Sequence, residues 1–225
     1  MKSNKNLIIA AIILVVALAA LIFCVSGCDN AKQNDTNLTS DEQSLGEINQ
    51  SSDPANDLLI DIIDTERKNV KVTMADSQSF TICVYPDVAP QSAQNFLNLV
   101  RDGFYDGLTF HRIIEGFMAQ GGDPMGTGMG GSDKNIYGEF ALNGYNNTLS
   151  HQRGVVSMAR SQDYNSASSQ FFICYDDVSF LDGQYAAFGE VIEGMEVVDS
   201  FLSAGTDAND RPLKEVVIQS MIVEE

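Results

Sequence analysis

From Val70 onward, apolar and polar residues take turns over short stretches. Val70 to Met74 alternates and is rich in Val and Thr, the pattern of a half-buried strand. Ala75-Asp76-Ser77-Gln78 supplies turn residues, and Phe80 to Tyr85 reads as the returning strand. The period then changes. Pro90 sits where a helix starts without losing a hydrogen bond, and Ala93, Phe96, Leu97 and Val100 follow at helical spacing until Gly103. Short strands are expected at Thr109 to Ile114, Phe117 to Gln120, Val155 to Ala159, Gln170 to Tyr175 and Phe188 to Val191. A second helix from Met195 to Leu202 would turn Val197, Val198 and Phe201 inward, and Val216 to Val223 reads as a last strand. Many short strands with two helices predict an all-β barrel whose open ends the helices cover.

The N-terminal quarter follows other patterns. Lys2 and Lys5 precede an apolar run from Leu7 to Val25, the layout of an export signal. The run ends in Val25-Ser26-Gly27-Cys28, which resembles a bacterial lipobox: an aliphatic residue, two small residues, then the Cys whose thiol takes the lipid. Residues 1–27 are therefore expected to be a lipoprotein signal peptide, with Cys28 as the lipidation site. The other reading is an uncleaved helix, since the run approaches the ~20 residues that span a bilayer. Either way the domain lies outside the cytoplasm. With cleavage, it is anchored to the bacterial cell membrane by the lipid on Cys28. Residues 28–57 are mostly Asn, Asp, Ser, Thr and Gln, too polar to fold, and read as a flexible tether reaching roughly 30 Å. The folded domain is expected over 58–225, where Leu58 to Ile63 either adds a strand or extends the tether.

Charge narrows the partners. The chain carries a formal charge of -18, from 13 basic and 31 acidic residues. Such a surface repels nucleic-acid phosphates and anionic lipid, and suits unfolded chains with basic or apolar stretches. With only two His, a metal site built from several imidazoles is not expected, and no cofactor is implied. Cys83 and Cys174 sit in strand-like runs and read as packed residues without a catalytic role. The glycine-rich stretch Gly126 to Gly131 lacks the strand, helix and Lys-Ser/Thr pair of a phosphate cradle, so it reads as a flexible surface loop.

Three blocks carry the functional reading. The first runs from Phe110-His111-Arg112-Ile113-Ile114 through Gly116-Phe117-Met118-Ala119-Gln120 to Gly121-Gly122-Asp123. The second is Ser157-Met158-Ala159-Arg160 with Ser166-Ala167-Ser168-Ser169-Gln170-Phe171-Phe172-Ile173. The third is Leu181-Asp182-Gly183-Gln184-Tyr185-Ala186-Ala187-Phe188-Gly189. Together, in this order, they resemble the cyclophilin family of peptidyl-prolyl cis-trans isomerases, from about Val70 to the C-terminus. The resemblance implies a closed eight-stranded antiparallel barrel capped by two helices.

It also implies roles. Arg112 would donate to the prolyl nitrogen or a neighbouring carbonyl as amide resonance is lost. Gln120 would bond the substrate backbone and help orient Arg112. Phe117, Met118, Phe172 and Leu181 would hold the proline ring. Ala159 and Arg160 would line the strand that pairs with the peptide, and Gln170 and Tyr185 complete the substrate site. Arg160 stands where many members have Asn. Phe180 replaces a Trp common in eukaryotic members, which weakens the expectation of tight cyclosporin binding. Tyr185 replaces a His.

Strand alternation places His111 opposite Arg112, as a hydrogen-bonded structural residue, with Phe171 in the core and Phe172 in the groove. His151 is expected at the surface. The partners expected are unfolded or partly folded exported polypeptides with X-Pro bonds. The rival reading is a chaperone or scaffold that uses the groove without catalysis. A hydrolase would need a nucleophile–base pair, and none is evident in the sequence.

Overall fold

A computed structural model describes residues 65–224. Among these, the first strands are β1 (Lys68–Met74) and β2 (Ser79–Val84), followed by helix α1 (Pro90–Arg101). Strands β3 (Arg112–Ile114), β4 (Met118–Gly121), β5 (Val155–Met158), β6 (Phe171–Cys174) and β7 (Ala187–Glu193) come next. Helix α2 (Met195–Ser200) and strand β8 (Ile218–Val223) complete the order. The signal segment, Cys28, the polar tether and Leu58 to Ile63 lie outside the described residues. No helix among the described residues is long and apolar enough to cross a membrane.

The strands form one antiparallel sheet in the order β3-β4-β6-β5-β7-β2-β1-β8. Its inner face is apolar at alternate positions, with Val70, Val72, Phe80, Ile82, Phe171 and Ile173 all buried. Helix α1 plugs one end. Its buried residues Ala93, Phe96, Leu97 and Val100 are those the helical spacing predicted, joined by Ser92. Phe96 meets Phe171 edge-on at 5.4 Å and Phe188 at 5.0 Å, placing three aromatic rings at the centre of the core.

The barrel is not closed as expected. The sheet curls, but its terminal strands β3 and β8 are not ladder neighbours. The gap is spanned by an isolated Thr109–Val217 bridge and by backbone hydrogen bonds from Phe110 N–H to Val216 O at 2.9 Å, Gly107 N–H to Ile218 O at 2.8 Å and Ile218 N–H to Leu108 O at 2.8 Å. The cause lies at the free edge of β3. That strand has three residues, and its outward Ile113 N–H donates to the Asp210 carbonyl at 2.9 Å. A loop therefore covers the edge where β8 would have to pair.

Cys83 and Cys174 are free. Two strands, β5 and β7, separate β2 from β6, so the cysteines lie about three strand spacings apart, ~14 Å, too far for a disulfide.

Candidate active site

The outer face of β3, β4, β6 and β5 carries a second row of side chains. Arg112 pairs with Gln120, Gln120 with Phe172, and Phe172 with Ser157. Directly opposed residues share a face, so these four form one line across the sheet. The neighbouring line contains Ile114, Met118 and Cys174. Above them lies a separate apolar cluster of Met118, Val155, Phe172, Cys174, Val178, Leu181 and Ala187, with Phe117, Ala159 and Tyr185 packed at its edge. The alternation that sends Phe171 inward sends Phe172 outward, as expected.

The slot has aromatic walls. Tyr185 meets Phe172 edge-on at 5.9 Å, and Phe117 stacks on the exposed Phe180 at 5.9 Å. Arg112, half-exposed, stands two strands from Phe172, about 10 Å between Cα atoms. An extended guanidinium can cross most of that distance, so Arg112 and the slot can engage the same short peptide.

Arg112 Nη2 donates to Asp210 Oδ2 at 3.4 Å. Gln120, although opposite Arg112, donates instead to Gln170 Oε1 at 2.8 Å. Gln170 passes the contact on, its amide donating to Gly128 O at 3.1 Å and Gly130 O at 2.7 Å. The glycine-rich loop is thus tied to the site. Asp123 is a further tether, its buried carboxylate accepting from the N–H groups of Met125, Thr127 and Gly128. Burial pushes the Asp123 carboxyl up, but those N–H bonds outweigh it and hold the group below the usual range. A Cβ at Gly130 would fall 2.1 Å from Asp123 Oδ1, so only glycine lets this loop close around the carboxylate.

His151 is not at the surface. It is 1% exposed and stacks on Phe172 with ring centroids 6.0 Å apart. Its Nδ1 is 2.8 Å from Asp182 Oδ1 and its Nε2 is 3.0 Å from Ser157 Oγ. A Ser–His–Asp chain therefore does exist, contrary to the sequence reading. Ser157 is 0% exposed beneath Phe172, so no substrate carbonyl reaches its oxygen and the chain serves packing. Asp182, next to Leu181 in the third block, was the available signal. The burial of His151 depends on a partner 31 residues away and was not visible.

His111 is buried and turned away from Arg112, as alternation requires. The hydrogen bond expected of its ring is missing: among the described residues neither ring nitrogen has a hydrogen-bond partner. Burial holds its pKa below the ordinary value, outweighing the pull of Asp123. A cleft of about 370 Å³ beside it is lined by Thr109, Asp123 and Arg211, and by none of the slot residues.

Arg160 lies at the opposite end of the slot from Arg112. Its Nε and Nη2 donate to the Gln184 carbonyl at 3.1 and 2.9 Å, and Nη1 donates to Ser161 O at 2.8 Å. The guanidinium carbon sits 4.7 Å from the Tyr185 ring centre, and 5.0 Å from those of Phe140 and Tyr164. Ala159 N–H donates to the Gln170 carbonyl at 2.9 Å.

A curled antiparallel sheet with an aromatic slot on its outer face, and a guanidinium beside it, defines a protein built to hold a short apolar peptide segment. Residues 69–223 match the family described as cyclophilin type peptidyl-prolyl cis-trans isomerase/CLD, and the chain belongs to that family of X-Pro isomerases. It is 45% identical over 141 residues to the peptidyl-prolyl cis-trans isomerase CYP18-1 of Arabidopsis thaliana, covering 62% of this chain and 86% of that one. It is 44% identical over 149 residues to the peptidyl-prolyl cis-trans isomerase-like 1 of Aspergillus fumigatus, covering 65% and 91%. The crystal structure of a cyclophilin type isomerase from Cryptosporidium parvum superposes with a TM-score of 0.65 at 30% identity, covering 71% of this chain and 99% of that one. A second structure of that protein was determined in the presence of the dipeptide Ala-Pro.

Proposed function

We propose that this chain turns X-Pro bonds in exported polypeptides close to the membrane, with Arg112 as the catalytic donor. An X-Pro bond rotates only by losing partial double-bond character, against a barrier of ~18–20 kcal/mol. The spontaneous event takes tens to hundreds of seconds. No bond to heavy atoms forms or breaks, so neither a nucleophile nor a metal is required. In this reading the proline ring enters the slot between Phe117, Met118, Phe172 and Leu181. The backbone before it lies along Ala159 and Arg160, with Gln120, Gln170 and Tyr185 fixing the register. Arg112 then donates to the prolyl nitrogen or a neighbouring carbonyl. As resonance is lost the nitrogen gains a lone pair, so a hydrogen bond to it is stronger midway than at either end. Such a difference lowers the barrier.

The observation that carries this reading is the shared outer-face line from Arg112 through Gln120 to Phe172. It brings an always-charged donor and an apolar slot together without another catalytic group. The placement near the membrane rests on the sequence up to Cys28. The lipid would hold the domain at the surface, and the polar segment would set it off from the lipid plane.

A protease-coupled assay on an Ala-Pro peptide tests the donor. Arg112→Ala should lower kcat/KM by about 100- to 1,000-fold, the usual loss for one such donor. Unchanged turnover in that variant would remove Arg112 from the mechanism, whereas isomerisation lost with the cellular role kept would favour the catalysis-independent chaperone.

A further inference from the structure

A guanidinium on a long flexible stem is a poor donor unless something restricts it. Among the described residues Arg112 makes one side-chain hydrogen bond, from Nη2 to Asp210 Oδ2 at 3.4 Å. The pair is 43% and 41% exposed and too long to contribute much stability. Its surroundings are nevertheless elaborate. Asp210 has φ 62°, a left-handed backbone that Asp and Asn tolerate better than most residues. A tight loop imposes it. Asp207 Oδ1 accepts from Asn209 N–H at 2.8 Å and from Arg211 N–H at 3.0 Å. Asp210 N–H donates to Asp207 O at 3.1 Å, and a Thr206–Pro212 bridge closes the base. The loop is then fixed to the active-site strand, because Ile113, the residue after Arg112, donates its N–H to the Asp210 carbonyl at 2.9 Å. Backbone and side chain of one residue thus fix the strand and its guanidinium together.

We infer that Asp210 is the positioning residue for Arg112. It holds one arm of the guanidinium and leaves the remaining N–H groups to meet the twisting amide. Gln120 donates its amide N–H to Gln170, and among the described residues the hydrogen bond that the Arg112 side chain makes goes to Asp210 and not to the Gln120 oxygen. The inference rests on Arg112 being the donor, as proposed above.

The test compares full-length Asp210→Gly and Asp210→Asn proteins on an Ala-Pro peptide, each also in an Arg112→Ala background. Glycine keeps the left-handed backbone and removes the carboxylate; Asn keeps both the backbone and an acceptor oxygen. Asp210→Gly should lower kcat/KM about tenfold, through kcat, with KM within about twofold. Asp210→Asn should stay within about threefold of the parent. With Arg112→Ala already present, Asp210→Gly should cost nothing more, because no guanidinium remains to hold. Parental kcat/KM in Asp210→Gly would overturn the inference while leaving the donor reading intact. So would equal losses in the Gly and Asn proteins, or the same tenfold loss in both backgrounds. If Arg112→Ala itself kept parental activity, the donor reading would fail, and this inference with it.

Discussion

Desolvation holds the His151 imidazole below its ordinary pKa even with the Asp182 carboxylate 2.8 Å away. For Asp182, burial pushes upward. Hydrogen bonds from the Ser150 hydroxyl and the backbone and ring of His151 win, so its carboxyl sits below the usual range. Both shifts act on stability in one direction. An unfolded His takes up a proton near pH 6.5, while the folded, depressed His151 refuses it. Stability is therefore lost as pH falls below about 6.5 and on through the folded value. His111, also depressed by burial, adds to the same slope. Asp182 stabilises above the unfolded carboxylate pKa and loses that contribution as pH drops through its lower folded value. Urea midpoints should decline steadily from pH 7 to pH 5. His151→Gln should be less stable at pH 7 and show a shallower decline, with the His111 part remaining. A midpoint that rises on acidification would contradict this account of the buried histidines.

At the scale of elements, helix α1 starts without a cap of its own, since Ala89 offers no side-chain acceptor. Glu139, nearly fifty residues away, supplies it. Its carboxylate accepts from Gln91 N–H at 2.9 Å, Ser92 N–H at 2.8 Å and Ser92 Oγ at 2.7 Å. Glu139→Ala should cost about 2–3 kcal/mol, a lost cap plus unsatisfied buried donors. At ~2–4 °C per kcal/mol, the melting temperature should fall by roughly 4–12 °C, measurable by calorimetry. A melting temperature within a degree of the parent would mean that water replaces the carboxylate at no cost.

Glu139 also marks the limit of what the sequence disclosed. Strand β1 and the buried face of α1 were legible because a half-buried element leaves a period of 2 or 3.6 in the chain, whereas β5 and β6, buried on both faces, stood out as short apolar runs. The placement of Phe171 inward and Phe172 outward followed from the same rule. Strand β3 came out shorter than expected, because Thr109 and Phe110 meet only an isolated bridge and not a ladder. The burial of His151, the cap from Glu139 and the seat of Asp210 depend on contacts 31 to 98 residues apart. No local period records such contacts.

For the whole molecule, the lipid proposed on Cys28 predicts that this acidic chain reaches the membrane through an anchor and not through surface charge. In a bacterial host fed a labelled fatty acid, the parent should carry label and fractionate with membranes. Cys28→Ser should carry none. Label retained by Cys28→Ser, or absent from the parent, would contradict the anchor. The central claim concerns the site: Arg112 favours the twisted amide more than either resting isomer. The most direct measurement is exchange spectroscopy of an Ala-Pro peptide under the parent and the Arg112→Ala protein, giving Kd and the bound interconversion rate together. The account predicts interconversion slowed at least ~100-fold with Kd changed less than about threefold. Undiminished interconversion, or a loss of affinity as large as the loss of rate, would contradict it.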